Sequence, residues 1–299
     1  MADKRMKNII YQNSILLLWV SLMASSFVIS KGLLPYANPI TSTGLRFILA
    51  SIFMLPFIWP KYRKILKVEF IIKYAFISLF LVLFFIGLFE ALKTTSPMRT
   101  SVIYTLVPLL SVILTYIGLK FITPIRQLVG FFLGTAGAVW VLLAFNQGEN
   151  LSLNWNSGDS IFLLACASLS LHVVLIKKWT SNIPPAQGAF YIMVLGGLIL
   201  LPFLFLLGDL TQVAWQETEF WQILLYLTLF TTMATFFLQQ YLVQQVGPNR
   251  LLAFTYLIPG LVVIPQGLAA VTQLYYGLPG ILLTLLALYL ISKKQIQRV

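Results

Sequence analysis

The chain has 299 residues, of which 59% are apolar and 9% charged, with twenty Lys and Arg against eight Asp and Glu for a formal net charge of +12. A soluble globular domain carries roughly 25% charged residues, so a water-exposed surface cannot be built from this composition and the solvent must be lipid. The basic excess sits in short connections between apolar runs and forms no basic, aromatic-interleaved face, which excludes nucleic acid as a partner. The single cysteine, Cys166, can form no internal disulfide and reads as a small buried hydrophobe.

A membrane helix needs about 20 mostly apolar residues, because each rises about 1.5 Å through a hydrocarbon core about 30 Å thick. Taken in chain order, ten segments qualify: Ser14 to Ser30, Ile40 to Trp59, Phe70 to Leu92, Thr100 to Leu119, Ile125 to Phe145, Asp159 to Lys177, Gly188 to Leu207, Phe220 to Val243, Leu251 to Val271 and Tyr275 to Ile291. The opening MADKRMKNII has the basic flank of a signal peptide, but no small-residue cleavage site follows, so the first segment is expected to be retained. With a cytoplasmic N-terminus, sixteen Lys and Arg fall on the inside, from Lys4, Arg5 and Lys7 to Lys293, Lys294 and Arg298, while Lys31, Lys93 and Arg99 remain outside. The positive-inside rule then predicts a multi-pass protein of the cytoplasmic membrane with both termini cytoplasmic.

Slid against itself, the chain repeats. At an offset of 146 residues Lys31 falls on Lys177, Pro39 on Pro185 and Pro56 on Pro202. At an offset of 151 residues SPMRTSVIYTLVP falls on GPNRLLAFTYLIP, with Arg99 on Arg250 and Pro108 on Pro259. Five segments per unit is an odd number, so the second unit must enter the membrane from the opposite face. The expected fold is all-α: ten transmembrane helices as two inverted five-helix repeats, residues 1–147 and 148–299. Such repeats characterise secondary transporters, whose substrate site lies near the midplane between the halves.

The stretch EALKTTSPMRTSVIYTLVPLLSVILTYIGLKFITPIRQLVGFFLGTAGAVWVLL and its counterpart QYLVQQVGPNRLLAFTYLIPGLVV resemble the EamA repeat of the drug/metabolite transporter superfamily, as do LRFILA at Leu45 to Ala50 and GDSIFLLACASLSLHVVLIKK. The resemblance covers nearly the whole chain. It implies a ten-helix exporter of amino acids or related metabolites, with a central cavity surrounded by all helices except the fifth and tenth. Members often carry a Glu-Arg pair after the fourth and ninth helices, where this chain has Lys120-Phe121 and Val271-Thr272.

Charges in hydrocarbon are costly, so ionisable residues inside the segments are functional candidates. Arg46 lies roughly 9 Å below the outer end of the second segment, and Glu90 lies near the outer end of the third. Two readings stand. The residues form a structural or gating pair that cancels both desolvation costs, or Arg46 receives a substrate carboxylate through its two-pronged donor face while Glu90 takes an amino group. His172, the only histidine, sits roughly 20 Å from the outer face and has Ser26 as its counterpart at offset 146. It reads either as a cavity residue that contacts substrate or couples protons, or as hydrogen-bonded packing.

Polar side chains also recur at helical spacing, among them Ser168 with His172, then Thr228, Thr231 or Thr232, Thr235 and Gln239, then Thr255, Pro259 and Gln266. These stripes should face a common interior, with lining and helix-to-helix bonding as alternative roles. Tyr104, Tyr256 and Trp19 are the aromatic candidates for a cavity wall. Pro108 and Pro259 occupy equivalent places near the middle of the fourth and ninth segments, where each should bend or break its helix, as paired gates or as static kinks.

No nucleophile with a base and no clustered metal ligands mark an enzyme, and no cofactor or metal is expected. No ring of charge or filter loop marks a channel, although a pore at the repeat interface stays open as an alternative. The expected partners are a small-molecule substrate, the lipid bilayer and, as a coupling candidate, protons, in a monomer or weak homodimer.

Overall fold

The computed structural model describes residues 2–58, 68–145, 155–180, 182–263 and 271–292, and every regular element in them is helical. In chain order these are α1 (Ala2–Leu33), α2 (Pro39–Ile58), α3 (Val68–Leu92), α4 (Pro97–Tyr104), α5 (Val107–Leu119), α6 (Ile125–Phe145), α7 (Ser157–Trp179), α8 (Pro185–Leu207), a 3₁₀ turn at Leu210–Gln212, α9 (Thr218–Thr228), a π-helical turn at Leu229–Ala234, α10 (Thr235–Val246), α11 (Pro248–Ala253), a 3₁₀ turn at Phe254–Leu257, α12 (Ile258–Val263) and α13 (Val271–Ser292). Among the described residues, eight stretches are long and apolar enough to cross a bilayer, with α4–α5 and α9–α10 each counting as one, and Ile125–Val141 in α6 is a shorter apolar helix. The segment expected at Leu251 to Val271 runs beyond the described residues after Val263, and Gln266 lies outside them.

Local chemistry sets the helix starts. Asn156 and Asp159 form a capping box at α7, each side chain accepting from the other's backbone N–H. Ser96 caps α4, with Pro97 at the first helical position. The Asn38 side chain accepts from the Thr41 amide at 2.8 Å to open α2. Between α10 and α11 the chain reverses at Gly247 (φ +81°), a conformation that a side chain would strain, and Pro248 then starts the next helix.

Contacts between helix ends sort into two sets, as the ends of helices running alternately up and down must. In one set the Asn38 amide donates to the Leu207 carbonyl at 3.0 Å, the Tyr36 hydroxyl donates to Glu219 at 2.8 Å, Arg99 pairs with Asp159, and the Trp140 indole donates to the Tyr276 carbonyl at 3.0 Å. In the other set Arg250 donates to Asn13 at 2.8 Å, Asn249 to Gln127 at 3.2 Å and Gln244 to the Ile183 carbonyl at 2.8 Å. These sets define the Asp159 face and the Asn13 face of the protein.

The outer surface is apolar, with Leu164, Phe205 and Leu206 each more than 70% exposed, as a lipid-facing surface requires. The interior is aromatic. Phe27 meets Tyr104 edge-on at 5.1 Å and Phe162 at 6.1 Å, and Phe84 lies 6.0 Å from Tyr104, tying α1, α3, α4 and α7 together. At the periphery α6 packs along α13. The two helices cross at Gly137 and Gly280, where a methyl group on either glycine would come within 2.6 Å of the other's carbonyl oxygen. Small residues let membrane helices approach this closely.

Candidate functional site

Arg46 is the chemically most unusual residue of the interior. Projecting from the first half of α2, it is 1% exposed. Its Nε donates to the Thr232 hydroxyl at 3.0 Å, and its Nη2 donates to Thr232 at 2.8 Å and to Thr231 at 3.0 Å. Its Cζ lies 4.5 Å from the centre of the Phe85 ring and 5.8 Å from that of Phe89, both on α3. Nη1 has no hydrogen-bond partner. A guanidinium stripped of water is costly to leave without a counter-charge, and ring faces compensate the charge only in part.

Both threonines lie in the π-helical turn at Leu229–Ala234. Thr231 and Thr232 are consecutive residues of this turn, and both present their hydroxyls to the guanidinium. Each hydroxyl donates to the Leu227 carbonyl at 2.9 Å, which leaves its lone pairs for the guanidinium. Regular helical spacing admits either Thr231 or Thr232, whereas in the structure both bind Arg46.

The expected Arg46–Glu90 pair is not formed. Glu90 instead binds Lys93 at 2.8 Å, with 36% of its side chain exposed. The reason is rotational. Phe85 and Phe89 form the face of α3 that meets Arg46, and Glu90, one residue further on, points about 100° away.

His172 and Gln239 are brought together. His172 Nδ1 lies 2.8 Å from the Ile77 carbonyl, which can only accept, so the proton belongs on Nδ1. Nε2 is then the acceptor for the Gln239 amide at 3.2 Å. This neutral tautomer links α3, α7 and α10 and uses both ring nitrogens. Phe236 stands edge-on to the imidazole at 6.0 Å and to Phe85 at 5.9 Å, so a wall of phenyl rings joins the histidine to the arginine.

The other candidates divide. Trp19 and Tyr104 are fully buried in the main core, and the Trp19 indole N–H lacks a partner. Ser26 is buried on α1. Thr235 donates to the Thr231 carbonyl of its own helix at 2.7 Å. Tyr256 stands apart from the aromatic core: its hydroxyl donates to the Phe131 carbonyl at 2.8 Å, and its ring fills the space above Gly134 on α6. The repeat reads YT at Tyr104-Thr105 and TY at Thr255-Tyr256, so the second tyrosine takes the direction of Thr105 rather than that of Tyr104.

Both proline-bearing segments are broken. α4 ends at Tyr104, and α5 begins at Val107 with Pro108 in its first turn. α11 ends at Ala253, and α12 begins at Ile258 with Pro259 beside it, after the 3₁₀ turn. Backbone near the first break is served from α7, where Ser170 donates to the Val107 carbonyl at 3.0 Å. Ser170 was not among the polar stripes. Ser168, which was, sits toward the outside and donates to Leu164 of its own helix at 3.2 Å.

Sequence reasoning also passed over Asp159. This wholly buried carboxylate holds Arg99 and accepts from the Thr95 hydroxyl at 3.2 Å and the Asn156 amide at 3.1 Å. The offsets contain the signal: 146 places Asn13 on Asp159, 151 places Arg99 on Arg250, and Arg250 binds Asn13. On the Asp159 face a cavity of about 250 Å³ is lined by Tyr36, Asn38, Lys93 and Asp209 among others. The hydrogen bond to Glu219 raises the Tyr36 phenol above its ordinary value. Among the described residues no group of His, Cys, Asp and Glu is arranged to hold a metal ion.

The profile of the EamA-like transporter family matches residues 13–143 and again residues 156–293. The chain belongs to the EamA-like transporter family. As a member it is a multi-pass membrane protein of the transporter class. It is similar to the uncharacterized transporter YyaM of Bacillus subtilis (strain 168), 26% identical over 245 residues that cover 79% of this chain and 78% of the relative. It is also similar to the uncharacterized transporter YetK of the same organism, 23% identical over 254 residues that cover 83% and 76%. A solved crystal structure shares the fold at a TM-score of 0.69 and 15% identity, over 97% of this chain and all of the other.

Proposed function

We propose that this EamA-like protein is a secondary carrier of small metabolites, amino acids or related compounds, and that it exports them across the cytoplasmic membrane by alternating access. In this reading ten transmembrane helices form two inverted repeats, residues 1–147 and 148–299, and both termini lie in the cytoplasm. The breaks before Pro108 and Pro259 carry the proposal. Interrupted helices at equivalent places in two halves are where secondary transporters place their binding sites and their moving parts. Two further observations support it. The family profile falls once on each half, and the Arg99–Asp159 and Arg250–Asn13 contacts join equivalent positions on opposite faces.

The test is counterflow in proteoliposomes. Saturable uptake of a labelled amino acid, accelerated by the same solute on the other side, is the expected result. Flux that grows linearly with concentration would show a pore instead. In Pro108→Ala and Pro259→Ala, cysteine accessibility should shift in opposite directions, whereas unchanged labelling with normal flux would leave both prolines as static kinks.

A further inference from the structure

We propose that Arg46 is the residue that recognises the transported solute, and that it does so by taking a carboxylate. The inference rests on the carrier reading above and names its substrate class. Arg46 has five N–H donors, and the hydroxyls of Thr231 and Thr232 accept only from Nε and Nη2. Both hydrogens of Nη1 are buried without an acceptor. Among the described residues no carboxylate pairs with it: Glu90 binds Lys93 and Asp159 binds Arg99. A purely structural arginine would be expected to use its free edge on a carbonyl or a carboxylate of the protein. Here that edge is left for something else, and a carboxylate on Nη1 supplies the missing lone pairs and the missing negative charge together.

Depth agrees with this role. Arg46 is seven residues into α2, about 10 Å from the helix end on the Asp159 face, and so lies inside the span rather than at its rim. The side chains packed next to the guanidinium are buried and mostly aromatic. From the Arg46 guanidinium the Phe85 ring is 4.5 Å away, Phe236 is 5.9 Å beyond it, and the His172 imidazole is a further 6.0 Å on, bonded to Gln239. A small carboxylate with an apolar body, such as a hydrophobic amino acid, matches a cation followed by a phenyl wall.

The experiment uses full-length protein and four probes of one shape: L-phenylalanine, 3-phenylpropionate, L-phenylalaninamide and 2-phenylethylamine. Thermal stabilisation in detergent reads binding, and proteoliposome counterflow reads carriage. The two carboxylates should stabilise the wild-type protein, whereas the amide and the amine should bind about 10- to 100-fold more weakly, the worth of a hydrogen bond to a charged group. Arg46→Gln should abolish that preference, and Arg46→Lys should restore part of it. Equal binding of acid and amide by the wild type, no binding of either carboxylate, or an Arg46→Gln protein that keeps the preference would each overturn the assignment. The wild-type comparison stands even where the glutamine variant fails to fold. Carboxylate binding without counterflow would sink the carrier reading and leave the Arg46 site intact, whereas counterflow indifferent to the carboxylate would do the reverse.

Discussion

Asn13→Asp should hold the Asn13 face of the protein shut. Arg250 reaches the Asn13 side chain at 2.8 Å, a hydrogen bond to a neutral amide. At the equivalent place on the opposite face Arg99 meets a carboxylate that Thr95 and the Asn156 amide also hold. The Arg250 guanidinium already makes its bond to Asn13 as a charged donor, so what a carboxylate adds is the ion-pair attraction, up to about 1 kcal/mol for a partly exposed pair. The substitution therefore adds on the order of 1 kcal/mol to the closed state of that face, which shifts the equilibrium between facings about fivefold. Asp159→Asn should do the opposite and somewhat more, since Asp159 also completes the capping box of α7. The assay is labelling by a membrane-impermeant maleimide of single cysteines placed just inside each face of reconstituted protein. In Asn13→Asp, labelling on the Asn13 face should fall about fivefold as labelling on the Asp159 face rises. Unchanged labelling in both variants, or a shift of the two faces in the same direction, would refute the idea that these contacts act as opposed locks.

Gly137→Leu should lower the melting temperature of purified protein by an amount corresponding to about 1–3 kcal/mol, the range for overpacking, because its first carbon already falls within 2.6 Å of the Gly280 carbonyl oxygen; protein that still folds should transport normally, and an unchanged melting temperature would mean that α6 and α13 do not cross there. Tyr256→Phe should cost about 1 kcal/mol of stability through the lost bond to Phe131 without altering solute preference, and a changed preference in flux competition would return Tyr256 to the substrate path. Alkaline phosphatase, active only outside the cytoplasm, should be inactive when fused after Val299, and an active fusion would overturn the proposed orientation of the termini.

What the amino-acid sequence determined by itself is the set of properties that depend on composition and spacing along one chain. Apolar runs of membrane length, bounded by Asn38-Pro39, Ser96-Pro97 and Gly247-Pro248, define helices because backbone polar groups in lipid must be bonded within their own segment. The prolines at 108 and 259 mark the helix breaks for the same local reason, a missing donor and a clash one turn back. Which long polar side chains meet across the bundle is a different kind of fact. It depends on the rotation of each helix about its axis, and one residue changes that rotation by about 100°. Glu90 therefore turns to Lys93 while its neighbour Phe89 faces Arg46, and Tyr256 turns to α6 while Tyr104 enters the core. Regular helical spacing admits either Thr231 or Thr232, whereas both bind Arg46 from a π turn. Only the packed structure decided that the single arginine inside the second helix is held by two hydroxyls and two rings, with its Nη1 still open.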